Sequence, residues 1–276
     1  MIPPTSCVRW RRVLPMIRLI ESGAQRPFLS FCEGDPCGVR ISAFLEAYGA
    51  QQPFALFWAQ TDGSGRMTAA LSRIDGDMTV CASPQADLEE LWAFLQAVGF
   101  ESILSPEQAA PRGLPGPSWQ AQRCAPMRLR QLHAPQRRGA GWALCREPAL
   151  GEIYALLQTA GEALPCLSAW LPDLSHRVRH GAACVWALRE GNALTACAMA
   201  VAQTEREALL GGVAVLPEKR GHGRGSYLAA ALCESLCAQG RRVYLLRREG
   251  EHASLYRRIG FAPHGKPVLM MTKEGV

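Results

Sequence analysis

Arginine and glycine alternate in a short stretch of the C-terminal half, just after the apolar run Val213-Ala-Val-Leu. Alternate glycines let the backbone come close to a ligand, because no Cβ stands in the way. At a helix start, several N–H groups then point at one spot and bind phosphate oxygens, to which arginine adds charge-assisted hydrogen bonds. The stretch predicts a pyrophosphate site made by Arg220, Gly221, His222, Gly223, Arg224, Gly225 and Ser226. His222 is expected to act there through its backbone, with its ring facing solvent.

Two other glycine-rich nucleotide motifs do not fit this stretch. A P-loop requires a lysine directly after its last glycine, and no lysine follows Gly225. A dinucleotide-binding fingerprint lies in the first strand-to-helix turn of a parallel βαβ unit, whereas this loop follows three strands expected to be joined by hairpins. Both motifs are therefore excluded by their context.

Positive charge is concentrated in the C-terminal half. Residues 1–130 contain 12 basic and 12 acidic side chains, whereas residues 131–276 contain 18 basic and 12 acidic ones, so the whole net charge of +6 arises there. Between Pro217 and Arg258 the count is 9 basic against 4 acidic. An anionic ligand is expected beside the glycine-rich stretch. No aromatic stripe interleaves the arginines, so a discrete anionic cofactor explains them better than nucleic acid does.

A second motif, Leu255-Tyr-Arg-Arg-Ile-Gly-Phe, follows further along the chain. Together with Arg220-Gly-His-Gly-Arg-Gly, it resembles the acyl-coenzyme A motifs of the GCN5-related N-acetyltransferase (GNAT) superfamily, over roughly residues 145–270. The resemblance implies that acetyl-coenzyme A is the co-substrate and that its pantetheine arm pairs with the strand residues Val213, Ala214 and Val215. It also implies acetyl transfer to a primary amine of a small molecule, a peptide or a protein.

The resemblance further implies that Tyr256 is the general acid that protonates the departing thiolate. A phenol of pKa about 10 can protonate a thiolate whose conjugate acid has a pKa of about 8.5 when the two are held close together. The competing interpretation is that Tyr256 packs as an aromatic beside Phe261. Glu249 stands where the family often has asparagine, which is the only support for a second function, a coenzyme A-binding sensor without turnover.

The residues that would bind and deprotonate the acceptor are not marked by a motif. Acceptor pockets of the superfamily are built from segments that correspond to Glu162–Gly181 and Thr204–Glu207 here. Glu190 and Glu207 are candidate bases, but each is expected to be a solvated carboxylate of a hairpin. The sequence therefore leaves the base and the acceptor open.

The order of predicted elements is repeated along the chain. Strands are predicted over 54–59, 67–74 and 77–82, a helix over 87–98 and a strand over 100–104. A second set consists of strands over 184–189, 193–202 and 209–215, a helix over 226–239 and a strand over 242–246, preceded by helices over 149–159 and 171–180. This repetition predicts two copies of one unit, of which the first has lost its glycine loop.

The expected fold is therefore α+β, GNAT-like, with a mixed and mostly antiparallel sheet in the C-terminal half and a degenerate GNAT-like N-terminal half. Residues 1–15 are basic and unpatterned, so the first domain is predicted over residues 16–110. Prolines and glycines predict a linker over 111–140, and the catalytic domain is predicted over 141–276.

Composition narrows the class of protein. No apolar run is long enough to span a membrane, and the eleven cysteines lack paired metal-ligand spacing. We expect reduced thiols, no metal, no membrane partner, a cytoplasmic location, and a monomer or homodimer.

Overall fold

The structure is a computed structural model, and it describes residues 16–110, 116–133, 139–251 and 253–273. The predicted basic segment over residues 1–15 lies outside the described residues. Residues 111–115 and 134–138 of the predicted linker also lie outside them.

The N-terminal half begins with five strands and three helices. They are β1 (Met16–Leu19), α1 (Gln25–Cys32), α2 (Pro36–Tyr48), β2 (Ala55–Thr61), β3 (Met67–Ile74), β4 (Asp77–Ala82), α3 (Leu88–Val98) and β5 (Ser102–Pro106). The three strands and the helix predicted between residues 54 and 98 are confirmed within a few residues. The helices α1 and α2 were not predicted.

After β5 the described chain contains β6 (Trp119–Leu129), which ends the N-terminal half, and then seven strands and four helices of the C-terminal half. They are β7 (Trp142–Cys145), α4 (Leu150–Thr159), α5 (Leu167–Arg179), β8 (Cys184–Glu190), β9 (Ala193–Gln203), β10 (Glu207–Val215), α6 (Arg224–Ala238), β11 (Arg242–Arg248), α7 (Ala253–Ile259), β12 (Phe261–Pro263) and β13 (Val268–Lys273). From β1 in the N-terminal half and from β7 in the C-terminal half, the order of elements is therefore β-α-α-β-β-β-α-β. This order confirms the predicted repetition. In the N-terminal copy the structure adds α1 and α2, for which the sequence pattern predicted no helices.

All thirteen described strands join one mixed sheet. Its order is β1-β2-β3-β4-β5-β13-β6-β11-β10-β9-β8-β7, and β12 pairs with β6 beside β13. Only the β4–β5 and β10–β11 pairs are parallel, one in each half. The sheet is thus mostly antiparallel, as expected from the sequence.

The two halves exchange strands at the centre of the sheet. β13, at the end of the described chain, pairs with β5 of the N-terminal half, and β6 pairs with β11 of the C-terminal half. β6 and β13 also pair with each other. Each half therefore completes the other's sheet.

The prediction that residues 111–140 form an irregular linker is wrong for 119–129, which form the central strand β6. Pro126 lies within this strand, yet its carbonyl accepts a hydrogen bond from the backbone N–H of His264 at 2.9 Å. In a strand the N–H and C=O of one residue face the same side. The missing N–H of Pro126 therefore faces the gap between β12 and β13, where the ladder is already interrupted.

The helix α2 lies under the centre of the sheet and touches both halves. Ten of its thirteen residues are buried. Val39, Ala43 and Ala47 pack against Leu209 and Tyr244 of the C-terminal half. A helix buried on most of its surface has no amphipathic stripe, so periodicity does not reveal it.

Candidate functional site

The glycine-rich stretch links β10 to α6 and leaves the first turn of α6 open. Gly221 and Gly223 both have φ of +83°, a left-handed conformation that other residues rarely adopt, and a Cβ built on Gly221 would project into open space. Gly223 is the N-cap of α6, and no side chain of the described residues caps this helix. Its first N–H groups, which lack intrahelical acceptors, are therefore available to an anionic ligand.

A wedge opens between β10 and β11 next to this loop. The parallel pairing of the two strands ends at Leu210 and Leu245, although both strands continue. On its other side β10 has a bulge at Gly212, where φ is +53° and a Cβ would lie 2.0 Å from the Met199 methyl carbon. The bulge bends β10 away from β11, so the β10 backbone beyond Leu210 lacks a strand on that side.

A cavity of about 610 Å³ occupies the wedge and the mouth of the glycine loop. Its lining includes all ten residues predicted to contact the cofactor, at 213–215 and 220–226, together with Tyr256. The structure therefore brings the two sequence motifs to one cavity. Sequence reasoning had missed the contributions of Glu162, Arg248 and Glu251 to the same lining.

The two arginines of the loop have different roles. Arg220 is exposed; its Nε donates to the Val215 carbonyl at 3.1 Å and its Nη2 to the Ala160 carbonyl at 2.8 Å. Arg224 instead pairs with Glu190 at 2.5 Å, and its guanidinium lies 5.1 Å from the ring centroid of Trp142. The side chain of Arg224 thus fixes the loop to β8, and the phosphate contact predicted for that side chain lacks support.

Neither carboxylate considered as a base lies in the cavity lining. Hydrogen bonds from Arg224 and Lys219 lower the pKa of Glu190, so this carboxylate serves an ion-pair cluster. Glu207 is 3% exposed and accepts hydrogen bonds from the Gly34 backbone at 3.0 Å and the Tyr244 hydroxyl at 3.1 Å. Burial raises its pKa. The expectation that Glu207 is a solvated hairpin carboxylate is therefore wrong; it joins the two halves.

Tyr256 is both an aromatic packing residue and a lining residue of the cavity. Its ring packs edge-on against Phe261, with centroids 6.0 Å apart, and the residue also lines the cavity. Burial, and after it the negative charge of Glu162, raises the pKa of the phenol to about 12. The hydroxyl is therefore protonated at neutral pH and is able to donate.

Glu249, the departure from the family pattern, is held by an ion pair. Arg123 of β6 contacts Glu249 and also bonds Glu107 through two nitrogens, at 2.9 and 3.0 Å. The backbone N–H of Glu249 donates to the Arg123 carbonyl at 3.0 Å. The glutamate thus secures the exchanged strand β6 next to β11, a role that does not depend on a ligand.

Glu162 and Arg248 face each other at the cavity. Glu162 follows α4, Arg248 ends β11, and Arg248 Nη2 lies 3.1 Å from Glu162 Oε2. The sequence carried a weak signal for Glu162, because Glu162 is the first residue of the segment expected to form the acceptor pocket. Arg248 lies in the basic region between Pro217 and Arg258. Their pairing is a long-range contact that no local pattern reveals.

Two further observations concern metals and membranes. The residues that the structure describes contain no group of three or more His, Cys, Asp or Glu placed to hold a metal ion. None of the described helices combines the length and the apolar character that crossing a membrane requires.

Comparison with known proteins places this cavity in a family context. A family profile described as acetyltransferase (GNAT) domain matches residues 181–263, which include the glycine loop and Tyr256. No curated protein sequence matches the chain.

Solved structures match nearly the whole chain. A Drosophila protein has a TM-score of 0.64 at 15% identity, with 94% of this chain and 98% of that one covered. A tandem GNAT protein from the clavulanic acid biosynthesis pathway has a TM-score of 0.59 at 16% identity, covering 95% and 99%. A GCN5-related N-acetyltransferase from Sphaerobacter thermophilus has a TM-score of 0.59 at 14% identity, covering 94% and 95%. Likenesses at this identity establish the fold, a tandem GNAT arrangement of both halves.

Proposed function

We propose, from the premise that the C-terminal half of this chain carries a GNAT acetyltransferase domain, that the protein transfers an acetyl group from acetyl-coenzyme A to a primary amine. The family match supports acyl transfer in general. The single observation that carries the finer proposal is the uncapped N-terminus of α6, which opens into the same cavity as Tyr256. One wall of this cavity suits a diphosphate and the other presents a proton donor.

The residues present fit coenzyme A. A cavity of about 610 Å³ lies within the usual range of roughly 300–1,000 Å³ for ligand pockets. The first-turn N–H groups of α6 and the left-handed glycines 221 and 223 form the phosphate cradle. Arg220 and Arg258 add positive charge to the lining. The β10 edge at 213–215 offers backbone groups to an amide-containing arm, because β11 has already diverged.

Each part of the cavity then has a chemical task. Acetyl-coenzyme A supplies the thioester that an unprotonated amine attacks. The glycine loop and β10 hold the donor in place, so that proximity contributes much of the rate. Tyr256 holds a proton for the sulfur that leaves, because its phenol stays protonated at neutral pH.

The competing function, a coenzyme A-binding sensor, rested on Glu249. Since Glu249 is held by Arg123 on the exchanged strand, its presence has an explanation that does not involve loss of turnover. No other observation favours the sensor.

The test is to mix the purified protein with acetyl-coenzyme A and a panel of small amines, amine-bearing peptides and proteins, and to follow free thiol. We expect thiol release that requires both the protein and an amine, with a product heavier by one acetyl group. Binding of acetyl-coenzyme A without amine-dependent thiol release across the panel would support the sensor instead.

A further inference from the structure

A short segment between α4 and α5, Ala160–Glu162, lies against the cavity and is held from two directions. Arg220 of the glycine loop donates to the Ala160 carbonyl at 2.8 Å, and Arg248 of β11 pairs with the Glu162 carboxylate at 3.1 Å. The backbone N–H of Glu162 also donates to the Leu157 carbonyl at 3.0 Å. Glu162 therefore has a fixed position at the cavity wall.

Glu162 shares the cavity with the proposed proton donor Tyr256. The negative charge of Glu162 contributes to the raised pKa of Tyr256 and also to that of Cys197. The Cys197 thiol lies 3.4 Å from the Gly212 carbonyl, at the bulge of β10. Glu162 lines the same cavity as Tyr256 and as residues 213–215 of β10, which follow the point where β10 leaves β11.

The carboxylate of Glu162 has room for another partner. Its side chain is 32% exposed, and its ion pair with Arg248 is made through one oxygen, Oε2. An ionised carboxylate accepts about four hydrogen bonds, so the pair with Arg248 leaves acceptor capacity. Two other cations of the cavity lining, Lys219 and Arg224, pair with Glu190. They therefore do not compete with a ligand for the Glu162 carboxylate.

We infer that Glu162 is the specificity residue for the acceptor and that it binds an alkyl primary amine in its cationic form. This inference rests on the proposed function. A half-buried carboxylate attracts an ammonium ion more strongly than an uncharged amine of the same shape. Arg248 holds the carboxylate in place for this contact.

The reaction then balances as follows. The bound ammonium releases one proton to water, and its nitrogen lone pair forms the bond to the acetyl carbon. The carbon–sulfur bond breaks with its electron pair on sulfur, which takes the proton of Tyr256. The acetylated nitrogen then releases a second proton to solvent, and Tyr256 takes one proton back from solvent, so the net products are the acetylated amine, free coenzyme A and one proton.

The experiment compares two isomeric acceptors that differ in charge at neutral pH, phenethylamine and para-ethylaniline, or the corresponding pair built on the most active amine of the panel. In Glu162→Gln, kcat/KM for the cationic amine should fall about 10- to 100-fold, mainly through KM, because one charge-assisted hydrogen bond is lost. The value for the arylamine should change by about twofold or less. Glu162→Asp, which keeps the charge, should recover part of the loss.

Two controls separate this inference from others. Glu218→Gln makes the same charge change beside the glycine loop but outside the cavity lining, and should leave both acceptors unaffected. Calorimetry should give the same acetyl-coenzyme A affinity in Glu162→Gln as in the wild type. An equal loss with both amines, or no loss with either, would overturn the role of Glu162 and leave the proposed function standing. A wild type that acetylates no amine would overturn both.

Discussion

The phenol of Tyr256 is the proposed proton donor, and the proposed chemistry depends on it. Tyr256→Phe removes that donor and keeps the ring that packs against Phe261. Turnover should fall about 10- to 1,000-fold, the usual contribution of one positioned acid, while acetyl-coenzyme A affinity is retained. Steady-state kinetics at saturating substrates, with calorimetry for the cofactor, measure both quantities.

A matched control for this variant is Tyr227→Phe, because Tyr227 packs on Trp142, outside the cavity lining. It should keep normal turnover. If Tyr256→Phe also keeps normal turnover, Tyr256 is a packing residue only. Since its pKa is raised from 10.0 to about 12, the wild type should show no loss of turnover from phenol ionisation as pH rises to about 10.

Gly223 tests the phosphate cradle. Gly223→Asp places a carboxylate where the proposed phosphate approaches, so the thermal stabilisation by acetyl-coenzyme A should disappear. For the wild type this stabilisation is about 2.7 kcal/mol at a hundred times the dissociation constant. Thermal unfolding with and without cofactor is the measurement.

Gly240→Asp serves as the control for backbone strain, because Gly240 has φ of +78° at the opposite end of the same helix. Both variants should lose stability of about 1–2 kcal/mol from the left-handed conformation. Only Gly223→Asp should lose the response to cofactor. An equal response in the two variants would contradict a phosphate site at the glycine loop.

The exchanged strand β13 makes a C-terminal segment part of the N-terminal core. Met271 is 2% exposed and lies in the cluster of Leu71, Leu95 and Ile103. Met271→Ala should lower the free energy of unfolding by about 2–5 kcal/mol, because it leaves a cavity in that core. Urea unfolding measures the loss.

Thr272→Ala, at the exposed next position of β13, is the control and should change stability by about 0.5 kcal/mol or less. A similarly small effect of Met271→Ala would contradict the position of β13 beside β5. This strand exchange also makes separate unfolding of the two halves difficult, so both variants should unfold in one transition.

Strands and helices were predictable from sequence to different degrees. β2, β3, β4, β8 and β9 were predicted because their apolar runs are bounded by turn residues such as Asp75-Gly76 and Glu190-Gly191-Asn192. The nearly fully buried α2 was missed because it has no amphipathic pattern. β6 was missed for two reasons. It pairs with strands that are distant in the sequence, and Pro126 interrupts its strand pattern.

The parts of the site that lie in contiguous motifs were predictable from the sequence. The parts that come together from distant segments of the chain were not. The glycine loop and Tyr256 are contiguous motifs, and both line the cavity. Glu162, 94 residues before Tyr256 in the numbering, reaches the cavity only through the packing of α4 beside the β10–β11 wedge. The inward pairing of Arg224 with Glu190 also depends on the position of β8, which the loop sequence does not specify.

The two halves share one topology but differ at the position of the proposed cofactor site. α6 lacks a side-chain cap, whereas Asp87 caps α3 by accepting from the backbone N–H groups of Glu89 at 3.1 Å and Glu90 at 3.0 Å. Glu90 in turn accepts from the side chain of the buried Gln60 at 2.7 Å. The corresponding place in the N-terminal half therefore presents carboxylates, which repel phosphate.

The whole chain is accordingly expected to hold one cofactor, in the C-terminal half, with the N-terminal half as a scaffold that supplies β6 and α2. Titration of the full-length protein with acetyl-coenzyme A by isothermal calorimetry tests this most directly. The account predicts a stoichiometry near one that is abolished by Gly223→Asp. A stoichiometry near two, or undiminished binding in Gly223→Asp, would contradict it.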